Sequence, residues 1–521
     1  MLAAQLLLGL LIAVAVLVTI SRRVHVPYPI VLLVGGFALG LVPGLPQIEI
    51  EGDVVLIVFV PPIVYVAAFF TSIRSLRTEF PTVASLAVGL VLASAAAVAV
   101  VAHALVPGLG WPLAIALGAI VAPPDEVAAT SVFERLAVPR RLTSILAGEA
   151  LLNDATALTL YRLALGAAVV GAVSAAGSFV ALVIVALGGA VIGLTIGWVV
   201  MQIRSRVEDT PVEITISLLT PYASYLSAEL IGASGVIACV ATGLFLGRKT
   251  SRFMGSDVRL AGRAVWEMLV FLLNGAIFIL IGLQISSLAD RMDRGAILEL
   301  GLVGLVVSVV LIAVRAVWLM AMGFWRHLLR KTESAFGAGE TLVLAWSGMR
   351  GVISLAAALA LPVSLPSGEP LPAREAVIVV TFTVILVTLG GQGLTLPLVI
   401  RAARLAADDT VEHEAGHARR DLVDEALKRI GELYEAWPGH RELLDQLRTS
   451  YQHRAEHEDQ LHEAPGSAAE QELVEHRQIR RAVIDAQREA LAGMRGRGTI
   501  DDSVFREIER DLDLEEVRME A

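Results

Sequence analysis

The sequence predicts an all-α polytopic membrane protein of about 13 transmembrane helices, followed by a helical cytoplasmic tail. Three observations carry this. Of 521 residues, 56% are hydrophobic and 18% charged, and the mean hydropathy is +0.71, whereas soluble domains hold about 45–50% apolar residues. Apolar runs long enough to cross roughly 30 Å of hydrocarbon recur along the chain. Basic residues, finally, collect in alternate connections between those runs. Charge also divides the chain: residues 1–405 carry 25 Lys/Arg against 22 Asp/Glu, and residues 406–521 carry 16 against 29. We read 1–405 as a transmembrane domain and 406–521 as an acidic helical tail, a balance that argues against nucleic acid as a partner. The single cysteine, Cys239, excludes both a disulfide framework and a cysteine metal site.

Residues 1–20 are apolar and run straight into Ser21-Arg22-Arg23, without a basic leader or a small-residue cleavage pattern. They read as a retained first span. The others are expected at 26–42, 54–70, 83–105, 111–132, 142–170, 179–201, 214–231, 234–246, 265–285, 296–324, 341–361 and 376–400. The eighth contains Pro221, and the ninth is short. Alternate connections hold 19 Lys/Arg, from Arg22 and Arg23 to Arg401 and Arg404, against three (Arg291, Arg294 and Arg374) in the connections between them. The positive-inside rule then places the N-terminus outside and the tail in the cytoplasm, in the cell membrane.

Two spans carry interruptions. The fifth contains Val121-Ala122-Pro123-Pro124-Asp125-Glu126, where consecutive prolines remove two backbone donors. In the twelfth, Gly348 and Gly351 bracket Met349 and Arg350. If spans 1–6 and 8–13 are inverted repeats, the two breaks correspond, and paired broken helices point to an ion site near the membrane midplane. The sixth span adds Glu149, Asn153 and Asp154. A charge at that depth costs about 2.5–3.5 kcal/mol on insertion scales, so such groups persist mainly where they act. Asp125 and Asp154 are candidate oxygen ligands for a monovalent cation, and acids sharing such a site can hold a proton that the arriving cation displaces. Arg350 needs an anion, and Glu149, on another face from Asp154, is its expected partner in a structural ion pair. Glu126 is expected in the cytoplasmic funnel. Arg162 and Arg315 read as snorkelling or satisfying carbonyls, and Glu267 and Asn274 as ties from the tenth span to its neighbours.

Gly148-Glu149-Ala150-Leu151-Leu152-Asn153-Asp154-Ala155-Thr156 resembles the signature of the monovalent cation:proton antiporter-1 family, the sodium/proton exchangers. Pro61-Pro62, Asp125 with Val127-Ala128, Ala233-Ser234-Gly235-Val236, Trp266-Glu267 with Asn274, and Trp346 to Gly351 match in family order. The resemblance implies a homodimer that exchanges Na⁺ for H⁺. A core of spans 4–6 and 11–13 would move against a dimerisation scaffold, as in an elevator. It also implies that Asp154 is the essential carboxylate, that Asp125 assists, and that Asn153, where electrogenic relatives carry a second Asp, marks electroneutral exchange. Where the family often has Thr-Asp-Pro, this chain has Pro124-Asp125-Glu126, and Ala150 stands where a Ser is common. Two hydroxyl ligands are thus missing, which leaves Na⁺ against K⁺ or Li⁺ open.

A cation channel lined by the same acids is the alternative from another class, though no ring-forming repeat supports it. An enzyme would need a nucleophile–base pair or metal cluster that no span supplies, so no cofactor is expected beyond the transported ions. In the tail, apolar residues recur at helical period over 417–437 and again from Leu443 to Tyr451. A third helix is expected after Pro465-Gly466-Ser467, and a fourth capped at Asp501 or Asp502. Seven of the ten histidines lie here, read as solvated, and the tail shows no motif for a ligand.

Overall fold

Helix covers the apolar runs, and local chemistry sets where it starts and stops. The computed structural model describes all residues except 1, 25, 43–51, 137, 171–174, 331–335, 365–368, 370, 406–409, 464–467, 498, 500, 501 and 521. The chain forms two compact units, Met1–Ala407 and Asp408–Ala521. In the first, helices run in the order α1 (Leu2–Val24), α2 (Tyr28–Gly40), α3 (Gly52–Phe70), α4 (Phe80–Leu105), α5 (Trp111–Val121), α6 (Val127–Arg135), α7 (Arg140–Val170) and α8 (Ala175–Arg204). They continue with α9 (Thr210–Leu230), α10 (Gly235–Phe253), α11 (Ser256–Arg291), α12 (Arg294–Arg330), α13 (Ala338–Trp346), α14 (Val352–Leu359) and α15 (Arg374–Ala403). Asp209 caps α9 by accepting from the Val212 amide at 3.1 Å, and Ser234 caps α10 through the Ile237 amide at 3.3 Å. Among the described residues, α4, α8, α11, α12 and α15 are long and apolar enough by length and composition to cross a membrane.

The fifth and twelfth runs are each two half-helices, α5/α6 and α13/α14, separated by 122–126 and 347–351. Pro61, Pro62 and Pro221, by contrast, sit inside continuous helices, which packed neighbours tolerate. The helices pack as two groups. One joins α4–α7 with α12–α15, the other α1–α3 with α8–α11. Within each group small residues bring backbones together: a Cβ on Gly118 would strike the Ala95 carbonyl, and one on Gly282 would strike α2 at Leu33 and Phe37. Between the groups, α14 packs on α3 and α11, and α7 on α3, α8 and α10.

The second unit holds α16 (Thr410–Ala436), α17 (Arg441–Glu463), α18 (Ala468–Gly496) and α19 (Asp502–Glu520). Helix α16 packs on α17 and α18 on α19. Ile484, Leu491 and Leu512 are buried together with Phe505 against them, and Arg488 bridges Asp513 and Glu516. Among the described side chains of α16, Val423 and Ile430 are buried, whereas Leu422 and Trp437, counted in its expected apolar stripe, are exposed. The expected break at Pro465–Ser467 and a cap at Asp501 lie outside the described residues, as do the side chains of His413, His417, His457, His462 and His476.

Candidate functional site

The two broken segments touch. The Asp125 amide donates to the Met349 carbonyl at 2.6 Å, joining the two breaks backbone to backbone. Half-helices leave carbonyls unsatisfied at their C-terminal ends and amides at their N-terminal ends. Arg350 serves the end of α5: its Nε donates to the Val121 carbonyl at 3.0 Å, one Nη to the Ala122 carbonyl at 3.3 Å, and the other to the Gly348 carbonyl. Arg315, from α12, does the same for α13, with Nε donating to the Leu344 carbonyl at 2.8 Å. Each negative helix end thus meets a guanidinium.

The positive ends meet an acid. Asp125 Oδ1 accepts from the Val127 amide at 2.9 Å, opening α6. Its other oxygen occupies the space a Cβ on Gly351 would need, at the start of α14. One carboxylate therefore sits where two helix N-termini converge, and Gly351 is what lets it in. Asn153 fixes the break from a third side, its Nδ2 donating to the Pro124 carbonyl at 3.1 Å.

The expected Glu149–Arg350 pair is not the one formed. Fully buried Glu149 is held by Arg315 in a two-pronged ion pair, at 2.5 and 2.8 Å. The planar guanidinium of Arg315 reaches both carboxylate oxygens from a neighbouring helix, while that of Arg350 is taken up by backbone carbonyls. The reading of Arg315 as a snorkelling group fails for the same reason, although it does satisfy one carbonyl. Arg162, also read that way, instead pairs with Glu229 at 2.9 Å. Glu267 pairs locally with Arg263 and ties no helices together in that contact.

A cavity of about 60 Å³ lies between the two helix groups. One wall is Pro123 to Val127, Ala150, Leu151, Asp154, Gly351, Ile353 and Ser354; the other is Ile63, Val64 and Ala67 of α3 with Asn274 of α11. Asp125, Asp154 and Glu126 thus share one space, and Glu126, expected in a funnel, lines that same cavity. Among the described residues, no group donates to Asp154, and Glu126 Oε2 is buried without a hydrogen bond. Among the described residues, no cationic side chain pairs with either carboxylate. Ser354 and Asn274 are polar wall residues that sequence reasoning missed as site residues. Asn274 stood out as a polar residue in an apolar run; nothing distinguished Ser354. Among the described residues, no three His, Cys, Asp or Glu side chains converge as a resident metal site.

The family model "Sodium/hydrogen exchanger, transmembrane" matches residues 10–402. The chain belongs to the sodium/hydrogen exchanger family. Members are secondary transporters, so this exchanger is a membrane-embedded antiporter and not an enzyme. It is 35% identical to an uncharacterised Na⁺/H⁺ exchanger of Mycobacterium tuberculosis, over 98% of this chain and 95% of that protein. It is 28% identical to a sodium, potassium, lithium and rubidium/H⁺ antiporter of Bacillus subtilis, over 82% of this chain and 65% of that one. The fold is shared with the sodium proton antiporter MjNhaP1 from Methanocaldococcus jannaschii, with TM-score 0.60 and 19% identity, covering 77% of this chain and 99% of the other.

Proposed function

We propose that this exchanger moves a monovalent cation against H⁺, one for one, with Asp154 as the group that holds either ion. Na⁺ is the first choice of cation. The observation that carries the reading is the state of Asp154. It faces a cavity between two helix groups, while Asp125 is balanced by two helix ends and Glu149 by Arg315. A carboxylate without a cationic partner in a low-dielectric wall must be neutralised, by a proton or by a cation, and accepting one excludes the other. Asp125, Ser354 and Asn274 supply further oxygens from the same cavity. Asn153 contributes no charge, which supports electroneutral exchange. Because the acids ride on one group and the facing wall belongs to the other, relative movement of the groups alternates access to the site. About thirteen crossings arranged as inverted repeats would serve this motion, with the N-terminus outside and the tail cytoplasmic, in a homodimer of the cell membrane.

K⁺ or Li⁺ is the second reading for the cargo. A Bacillus subtilis relative is named for all four alkali ions, and Pro124 and Ala150 supply no hydroxyl here. A channel would pass cations without moving protons. The deciding measurement is intraliposomal pH in proteoliposomes on addition of Na⁺, K⁺ or Li⁺. The wild type should alkalinise or acidify its lumen in a saturable, cation-dependent way, and Asp154→Asn should abolish the signal while remaining monodisperse. Normal exchange by Asp154→Asn would remove Asp154 from the role, and cation flux without proton movement would make the protein a channel.

A further inference from the structure

The ion pair Arg162–Glu229 is absent from the transport account above, yet it joins the two helix groups. Arg162 is on α7, the helix of Asp154, and Glu229 is in the last turn of α9. Their closest approach is 2.9 Å, with both side chains partly exposed at 41% and 29%. Arg141–Glu79 and Arg315–Glu149 stay within one group, and Arg204–Glu213 within the other.

The position of the pair on α7 gives it meaning. Residues four apart on a helix stack along one face. Ala150 and Asp154 line the cavity. Leu158, 8% exposed, and Arg162 continue that row toward the C-terminal end of α7. The cavity therefore lies beside the turn before Asp154, and the ion pair closes the row about 12 Å beyond that residue, at 1.5 Å per residue. Glu229 is anchored on its own side, because the same Oε1 accepts the Gly235 amide at 3.0 Å, in the first turn of α10. A carboxylate fastened to a helix end gives Arg162 a fixed point on the opposite group.

We propose that Arg162–Glu229 is a latch, which holds the groups together on the α9–α10 side of Asp154 and must open for the acids to reach that side; this builds on the alternating-access reading above. Breaking it shifts the population toward the state open there, and restoring the pair restores the balance. Its residues touch no transported ion.

The test is the rate at which a membrane-impermeant thiol reagent modifies Leu158→Cys in a Cys239→Ala background, from the side of the α9–α10 connection. Glu229→Gln keeps an oxygen for the Gly235 amide but loses the charge, so it should raise the rate by up to about fivefold, the most that a partly exposed ion pair controls. Arg162→Gln should do the same. The exchanged pair Arg162→Glu with Glu229→Arg should bring the rate back toward that of the intact latch. Unchanged labelling in both single variants would overturn the proposal, and so would a swap that labels as fast as they do. Labelling needs no transported ion: a wild type without cation/proton exchange that still shows this pattern would sink the transport reading and leave the latch standing. Loss of the monodisperse peak in the single variants would show a purely structural pair and also overturn it.

Discussion

Glu149 and Asp154 lie five residues apart on α7 and have opposite electrostatic fates. Glu149 is buried with both oxygens on Arg315, and Asp154 faces a cavity with no donor among the described residues. Removing one partner of a buried pair strands the other, at a cost of about 3–5 kcal/mol. Glu149→Gln should therefore lower the thermal unfolding midpoint in detergent, whereas Asp154→Asn should leave it near the wild-type value. Equal loss of stability in both would mean that Asp154 is tied down as firmly as Glu149. The sequence showed that both acids were unusual at this depth. Which arginine answers Glu149 was not legible, because Arg315 and Arg350 lie far along the chain and only folding brings their helix segments to the same place.

Among the elements, the pair of broken helices is the decisive feature, and Gly351 is its tightest point. Any Cβ there would collide with the carboxylate of Asp125. Gly351→Ala should thus displace Asp125 from the start of α14 and reduce cation-dependent proton flux at least tenfold, with the protein still inserted and monodisperse. Flux at the wild-type level would show that the carboxylate has room to move aside. Pro-Pro marks one break and not another: Pro61-Pro62 lies in continuous α3, and Pro123-Pro124 lies in a gap. In α3 the carbonyl freed by Pro62, that of Val58, accepts from the Tyr222 hydroxyl at 3.1 Å. Around the gap, Arg350, Asn153 and Met349 bind the freed backbone, and exposing such groups in lipid without partners would cost several kcal/mol each.

At the scale of the molecule, the two units have separate interiors, and the family match ends at residue 402, before the second begins. The MjNhaP1 chain is covered to 99% by 77% of this one, a share no larger than the first unit. Ending the chain after Ala407 should accordingly leave a membrane unit that inserts and exchanges, with proton flux within about twofold of the full chain, read in the same liposomes. A truncated protein that inserts normally yet lacks exchange would assign the tail a part in transport. The alternation of basic connections and the +3 against −13 charge division were readable without coordinates, because insertion and solubility respond to composition along the chain.

The sequence by itself determined the membrane class, the family signature around Glu149 to Thr156, and the two interruptions, since each is written in contiguous residues whose burial or backbone chemistry is costly in any context. Only the tertiary structure decided that Arg315 holds Glu149, that Arg350 closes the end of α5, and that Glu126 shares a cavity with Asp125 and Asp154. Those outcomes depend on which distant groups arrive within hydrogen-bonding reach, and short-range geometry of that kind has no trace in spacing along a chain.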